Sequence, residues 1–191
     1  MTIGVLALQG AFRAHIAKLE ELGCGAIEVR RPEDLESVDG LVIPGGESTT
    51  MSMLLESSGL TDLISERIGA GMATFGTCAG LILLAAEIED GRPDQRSFAK
   101  LDITVKRNGY GRQLESFETH LDCPTLDEDI HAVFIRAPRI VRVGDDVEVI
   151  AEARGDAVLV RSGNCLGAAF HPELSASVEI HRLFLDSVAS E

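Results

Sequence analysis

Tryptophan is absent from this chain, tyrosine occurs once, and aromatic residues make up only 4% of its 191 residues. A core built without many rings has to rest on Val, Ile, Leu and Ala. Long apolar runs are missing too. No stretch approaches the roughly 20 consecutive apolar residues that a bilayer-crossing helix needs, so a membrane span is excluded. Basic residues are scarce: 17 Lys and Arg stand against 31 Asp and Glu, a formal net charge of -14. That field repels a polyanion and sets nucleic-acid binding aside. Cysteines are few and scattered. Cys24, Cys78, Cys123 and Cys165 show no C-x-x-C or similar metal-like spacing, so no metal site is expected. The opening Met-Thr-Ile-Gly-Val-Leu-Ala-Leu lacks a basic flank and runs into Gln9-Gly10, which reads as a first buried strand rather than a signal peptide. A cytoplasmic chain with reduced thiols is the expectation.

What is present is 45% apolar, enough for a packed core, and 191 residues suit one domain over residues 1–191. The first half alternates between two periods. Ile3 to Leu8 is a continuous apolar run, as in a parallel strand buried on both faces. Phe12, Ile16, Leu19 and Leu22 then recur at helical steps, closed by Gly23 and Gly25. Strands are expected at Ala26–Val29, Gly40–Ile43 and Met72–Phe75, and helices at about Ser48–Glu56, Thr61–Ala70 and Ala79–Ala86. This order predicts an α/β fold, a mostly parallel central sheet covered by helices on both faces. In the second half, short segments near Ile103–Lys106, Val133–Arg136, Val147–Ala151, Ala157–Val160 and Leu166–Phe170 suggest antiparallel strands added to that sheet. Residues 90–100 read as a polar surface loop, and a last helix is expected from about Ser175 to Val188.

The most informative string is Met72-Ala-Thr-Phe-Gly-Thr-Cys-Ala-Gly-Leu. It sets Gly76-Thr77-Cys78-Ala79-Gly80 between a strand and a helix, the G-x-nucleophile-x-G pattern with Cys in place of Ser. Small residues let strand and helix approach closely, so that a strained turn projects the sulfur from the sheet edge. The positive end of the new helix favours a thiolate there, and the Ala79 N–H is placed to hold an oxyanion. The competing reading is a buried structural cysteine, which is the better one for Cys24, Cys123 and Cys165.

A nucleophilic thiol needs a proton acceptor, usually His. His15 and His181 fall within amphipathic helices and are expected on the surface, and His120 and His131 sit near strand ends without a partner pattern. His171 differs, because it ends an apolar strand in His171-Pro172-Glu173. Proline sets the turn, and Glu173 can fold back to hold the imidazole in the needed tautomer. The acid follows the His by two residues, unlike the order of an α/β-hydrolase.

Gly76–Gly80 together with His171-Pro-Glu173 resembles the class I (triad) glutamine amidotransferase family. Gly4-Val-Leu-Ala-Leu-Gln-Gly10, Pro44-Gly-Gly-Glu-Ser-Thr-Thr-Met51, Val133-Phe-Ile-Arg-Ala-Pro138 and the stretch from Arg107 to Gln113 narrow the resemblance to the glutaminase subunits of pyridoxal 5'-phosphate synthase, the PdxT family. The stretch departs slightly at Asn108-Gly-Tyr-Gly, and residues 90–102 fit no family motif. The resemblance implies a three-layer αβα sandwich of the class I glutamine amidotransferase, flavodoxin-like kind. It implies a Cys78, His171, Glu173 triad that hydrolyses L-glutamine through a thioester. It also implies a glutamine pocket of Gly46, Glu47, Ser48, Arg107, Ile135 and Arg136, with Gly46 and Ala79 as oxyanion donors and no cofactor. The released ammonia would pass to a (β/α)₈-barrel synthase subunit docked near the Gln9-Gly10 turn and the helix after it. Three rival readings are another triad amidotransferase subunit, a DJ-1-like cysteine hydrolase, and a non-catalytic binding module.

Overall fold

A computed structural model of the chain describes residues 1–92, 95–107, 109, 116–124, 126 and 129–189. Its centre is a seven-stranded sheet made from β1 (Thr2–Leu6), β2 (Gly25–Val29), β3 (Gly40–Ile43), β4 (Ala73–Thr77), β10 (Glu148–Ala153), β11 (Asp156–Ser162) and β12 (Cys165–Ala168), in the order β10-β11-β12-β4-β3-β1-β2. The strands from β12 through β2 pair in parallel, while β11 and β10 add antiparallel at one edge. Strands β3, β4 and β12 are buried along their whole length, which is why they read as unbroken apolar or small-residue runs.

Helix α1 (Phe12–Glu21) connects β1 to β2, and α2 (Pro32–Glu36) returns the chain to β3. Helices α3 (Ser48–Ser57) and α4 (Leu60–Gly69) then lead to β4, and α5 (Ala79–Leu84) follows it directly. The crossover through α1 runs along the sheet in one direction and that through α3 and α4 in the other. Right-handed connections therefore put them on opposite faces. Helix α6 (Glu179–Ala189) packs on β4 beside α1. The three layers match the expected architecture.

Three readings of the sequence need correction. Only two of the second-half strands join the main sheet antiparallel, because β12 lies parallel to β4. The others build separate small sheets: β5 (Ala85–Ile88), β6 (Leu101–Lys106) and β9 (Arg139–Val143) form one, and β7 (Phe117–Leu121) and β8 (Ile130–Phe134) form another. Helix α5 stops at Leu84, where Ala85 turns extended and pairs with Leu101. Long-range pairing here overrides the helical propensity of Leu-Leu-Ala-Ala. Helix α6 begins at Glu179, since Ser175 and Ser177 accept hydrogen bonds from the backbone N–H groups of Ser177 and Glu179 and form turns ahead of it.

The 90–100 segment is also tied down more firmly than a free loop. Phe98 is buried, Gln95 Nε2 donates to Ser48 Oγ at 3.1 Å, and Arg96 N donates to Ser52 Oγ at 3.2 Å. Among the described residues, no helix is long and apolar enough to cross a membrane.

Candidate active site

Parallel α/β sheets bind ligands beyond the carboxyl ends of their strands, where the chain order reverses. Here the reversal falls between β1 and β3, and the loops that follow β1, β3, β4 and β12 all meet there. Cys78 stands directly after β4. Its φ of 49° is a left-handed conformation that costs a non-glycine residue energy. The turn is locked by Cys78 N donating to Ala168 O at 2.8 Å and by close packing at the two flanking glycines. A Cβ on Gly76 would lie 2.6 Å from the Gly80 carbonyl, and one on Gly80 would collide with the Ile43 carbonyl. The glycines are therefore a steric requirement of the elbow.

His171 follows the end of β12, its N–H donating to Val133 O at 2.9 Å. Its Nδ1 lies 2.7 Å from Glu173 Oε1, which the 3-10 turn Pro172–Leu174 carries back beneath the ring. Both His171 and Cys78 pack on Gly45. A Cβ there would come within 2.6 Å of His171 Cε1 and 3.3 Å of Cys78 Cβ. Burial alone lowers the His171 pKa, but hydrogen bonds to Cys78 and Glu173 outweigh it and raise the value to about 10. Burial likewise pushes Glu173 up, yet His171, aided by His15, brings it below the ordinary carboxylate range. The imidazole thus sits between a sulfur and a carboxylate that both favour its protonated form.

A cavity of about 330 Å³ opens over Cys78, and Ala79, His171, Gly46, Glu47 and Ser48 line it. Arg107, Ile135 and Arg136 close another side. Every residue the sequence reading assigned to the site therefore borders this space except Glu173, which lies buried behind His171. Arg136 sits just past the end of β8 with a φ of 46°, so the strand stops before Ile135 rather than running through Arg136. Strain of this kind at a cavity wall aims a side chain that a regular strand would point elsewhere. The rest of the Arg107–Gln113 motif, apart from Gly109, lies outside the described residues.

Glu47 does more than the sequence suggested. It caps α3, accepting from Thr49 N at 3.0 Å and from Thr50 N and Oγ1 at 2.7 Å, and it takes the Arg107 guanidinium at 2.9 Å. Burial opposes its ionisation, but the Thr50 and Thr49 hydrogen bonds win and pull it down to about 2. It is the one carboxylate among the described lining residues. Gln9 was missed as a site residue. It lines the cavity, and its Oε1 accepts from Glu47 N at 3.3 Å. The sequence had placed it in the Gly4–Gly10 family string and at a docking turn, not in the glutamine pocket.

The remaining candidates fall as follows. Cys24, Cys123 and Cys165 are free thiols away from the cavity, and burial raises the pKa of each, that of Cys165 to about 11. His120 and His131 face each other across β7 and β8, and His131 pairs with Glu118 at 2.9 Å. His15 and His181 are not on the surface at all: both are 0% exposed. Their helices present them inward, against β4 and Glu173.

Sheet order, elbow and the histidine–carboxylate pair define an α/β fold of the class I glutamine amidotransferase kind. Comparisons with known proteins agree. A solved glutamine amidotransferase superposes with a TM-score of 0.92 at 47% identity, covering 98% of both chains. A glutamine amidotransferase from Thermotoga maritima shares the fold alone, with a TM-score of 0.62 at 13% identity over 99% of this chain and 84% of that one. The pyridoxal 5'-phosphate synthase subunit PdxT of Mycobacteroides abscessus is 56% identical over 186 residues, 97% of this chain and 96% of that protein. The PdxT subunit of Nocardioides sp. is 53% identical over 195 residues, 100% of this chain and 97% of that protein. Residues 5–190 match the SNO glutamine amidotransferase family, and the chain belongs to that family.

Proposed function

We propose that this chain is the glutaminase subunit of a pyridoxal 5'-phosphate synthase, a single glutaminase domain that works in the cytoplasm. It would hydrolyse L-glutamine to L-glutamate and pass the ammonia to a barrel-shaped synthase subunit. The observation that carries the chemistry is the imidazole of His171, held by Glu173 at 2.7 Å and packed with Cys78 around Gly45. Identity of 56% and 53% to PdxT subunits over nearly full length favours this acceptor system over that of another triad amidotransferase. The close Glu173–His171 pair speaks against a DJ-1-like hydrolase, which has no need of that carboxylate.

In the proposed reaction, the Cys78 sulfur attacks the side-chain amide carbon of glutamine, and the N–H groups of Ala79 and Gly46 receive the negative oxygen. His171 gives its proton to the departing nitrogen, and ammonia leaves a glutamyl thioester. His171, now neutral, takes a proton from water, whose oxygen attacks the thioester and frees glutamate and the thiol. Arg136, which makes no ion pair with a described residue, suits the substrate α-carboxylate. Glu47 keeps Arg107 at the wall and supplies negative charge for the α-ammonium side. No step calls on a cofactor.

The test is glutamate release by wild type and Cys78→Ala, with and without the synthase subunit. Loss in the variant and stimulation by the partner are expected. A Cys78→Ala chain as active as wild type overturns the reading.

A further inference from the structure

Glu173 offers two oxygens, and the triad uses one. Oε1 takes His171 Nδ1, whereas Oε2 is buried with no hydrogen-bond partner among the described residues. His15 Nε2 lies 3.4 Å from Oε2, and both side chains are fully buried. His15 Nε2 also lies 3.2 Å from Oγ1 of Thr77, the residue before Cys78, and His15 Nδ1 lies 2.9 Å from His181 Nε2. Two imidazoles are thus sunk into an apolar layer formed by Phe75 and Phe184, where a leucine would pack without any polar cost.

The protons can be placed by elimination. Burial lowers His15 to about 4 and takes His181 well below its ordinary value, so both rings are neutral and carry one N–H each. If His15 is protonated at Nε2, that N–H is directed to Thr77 Oγ1 at 3.2 Å with Glu173 Oε2 beside it at 3.4 Å, and Nδ1 accepts from His181 Nε2–H. Of the two rings' nitrogens, only the bare Nδ1 acceptor of His181 then lacks a partner. The opposite tautomers would strand a buried N–H on His181 and leave Oε2 with no donor, the costlier arrangement.

We propose that His15, its tautomer set by His181, is a positioning residue for the hydrolysis: its protonated Nε2 edge, 3.4 Å from Oε2 of Glu173, fixes that oxygen so that Oε1 faces His171. The proposal rests on the glutaminase reading above. It extends the triad inward to helices α1 and α6, which otherwise touch no reacting atom.

The experiment compares His15→Leu with His15→Gln in the full-length chain, assayed with the synthase subunit. Removing the ring that fixes an orienting carboxylate should lower kcat for glutamine by up to about 100-fold, leaving KM unchanged. His15→Gln restores an N–H near the position of Nε2 and should recover most of that loss. The downfield Nδ1–H proton resonance of His171, read without substrate, should shift in His15→Leu and return in His15→Gln. A folded His15→Leu chain with wild-type kcat and an unshifted resonance overturns the proposal, as does a His15→Gln chain as slow as His15→Leu. Where His15→Leu does not fold, His181→Leu reads the same point: kcat falls at constant KM, and a wild-type kcat overturns it. If Cys78→Ala still hydrolyses glutamine, the glutaminase reading fails, while the resonance continues to decide the role of His15.

Discussion

The Nδ1 of His171 and the Oε1 of Glu173 stand 2.7 Å apart with only Pro172 between them in the chain. A short loop ordinarily turns such neighbours away from each other. Here Pro172 opens a 3-10 turn that folds the carboxylate back under the ring. Orientation and charge therefore come from one compact segment, and each part of it can be tested.

Replacing Glu173 by Gln keeps the shape but puts a neutral amide against Nδ1. The ring then loses the partner that sets its tautomer and stabilises its positive charge. Glutamate release should fall by up to about 10⁴-fold in kcat, with KM for glutamine little changed. Steady-state kinetics on the complex would check it, and a loss confined to KM would contradict it.

Gly45 has no room for a methyl group, because its Cβ would meet His171 Cε1 at 2.6 Å. Gly45→Ala should fold but displace the imidazole from the sulfur. Misplacement on that scale costs about 10²-fold in rate. Retained activity would mean that the loop yields instead of the ring.

The pKa of His171 is raised to about 10, and Cys78 supplies part of the cause. In Cys78→Ala the value should drop towards the ordinary 6.5, as followed by NMR titration of the ring. The sign for stability follows from the same shift. The protonated ring favours the fold, so its contribution is full below 6.5 and is lost as pH rises through about 10. Wild type should therefore lose more stability over that interval than His171→Gln, measured by urea unfolding. Equal slopes would rule out the coupling.

Cys78 adopts a φ of 49°, which glycine takes up freely and cysteine only at a cost. Cys78→Gly should abolish turnover yet raise stability by about 1 kcal/mol, because the strain is released. Thermal unfolding of the two chains gives the answer, and a lower melting point in the variant would count against strain at the elbow.

Glu47→Ala removes the cap of α3 and frees Arg107. A loss of about 1 kcal/mol in stability is expected, together with a higher KM for glutamine. The native carboxylate sits at about 2 against an ordinary 4.5. Its contribution is thus present above 4.5 and lost as pH falls through about 2. Acid unfolding of wild type and variant should converge at the low end of that range.

The elbow, the His-Pro-Glu turn and the parallel half of the sheet were legible in the sequence because their causes are local. Gly76 and Gly80 flank a nucleophile in five consecutive residues, a strand buried on both faces must be apolar throughout, and Pro172 constrains its neighbours whatever surrounds them. Tertiary structure alone decided the rest. The second-half strands divided among three sheets because pairing partners are chosen across long separations, and Ala85 left its helix to join Leu101 for the same reason. His15 and His181 looked like surface residues, since a polar side chain in an amphipathic helix gives no sign of a buried partner more than a hundred residues away. Only the fold, by setting α1 and α6 side by side over β4, buried them against each other and brought His15 within 3.4 Å of Glu173.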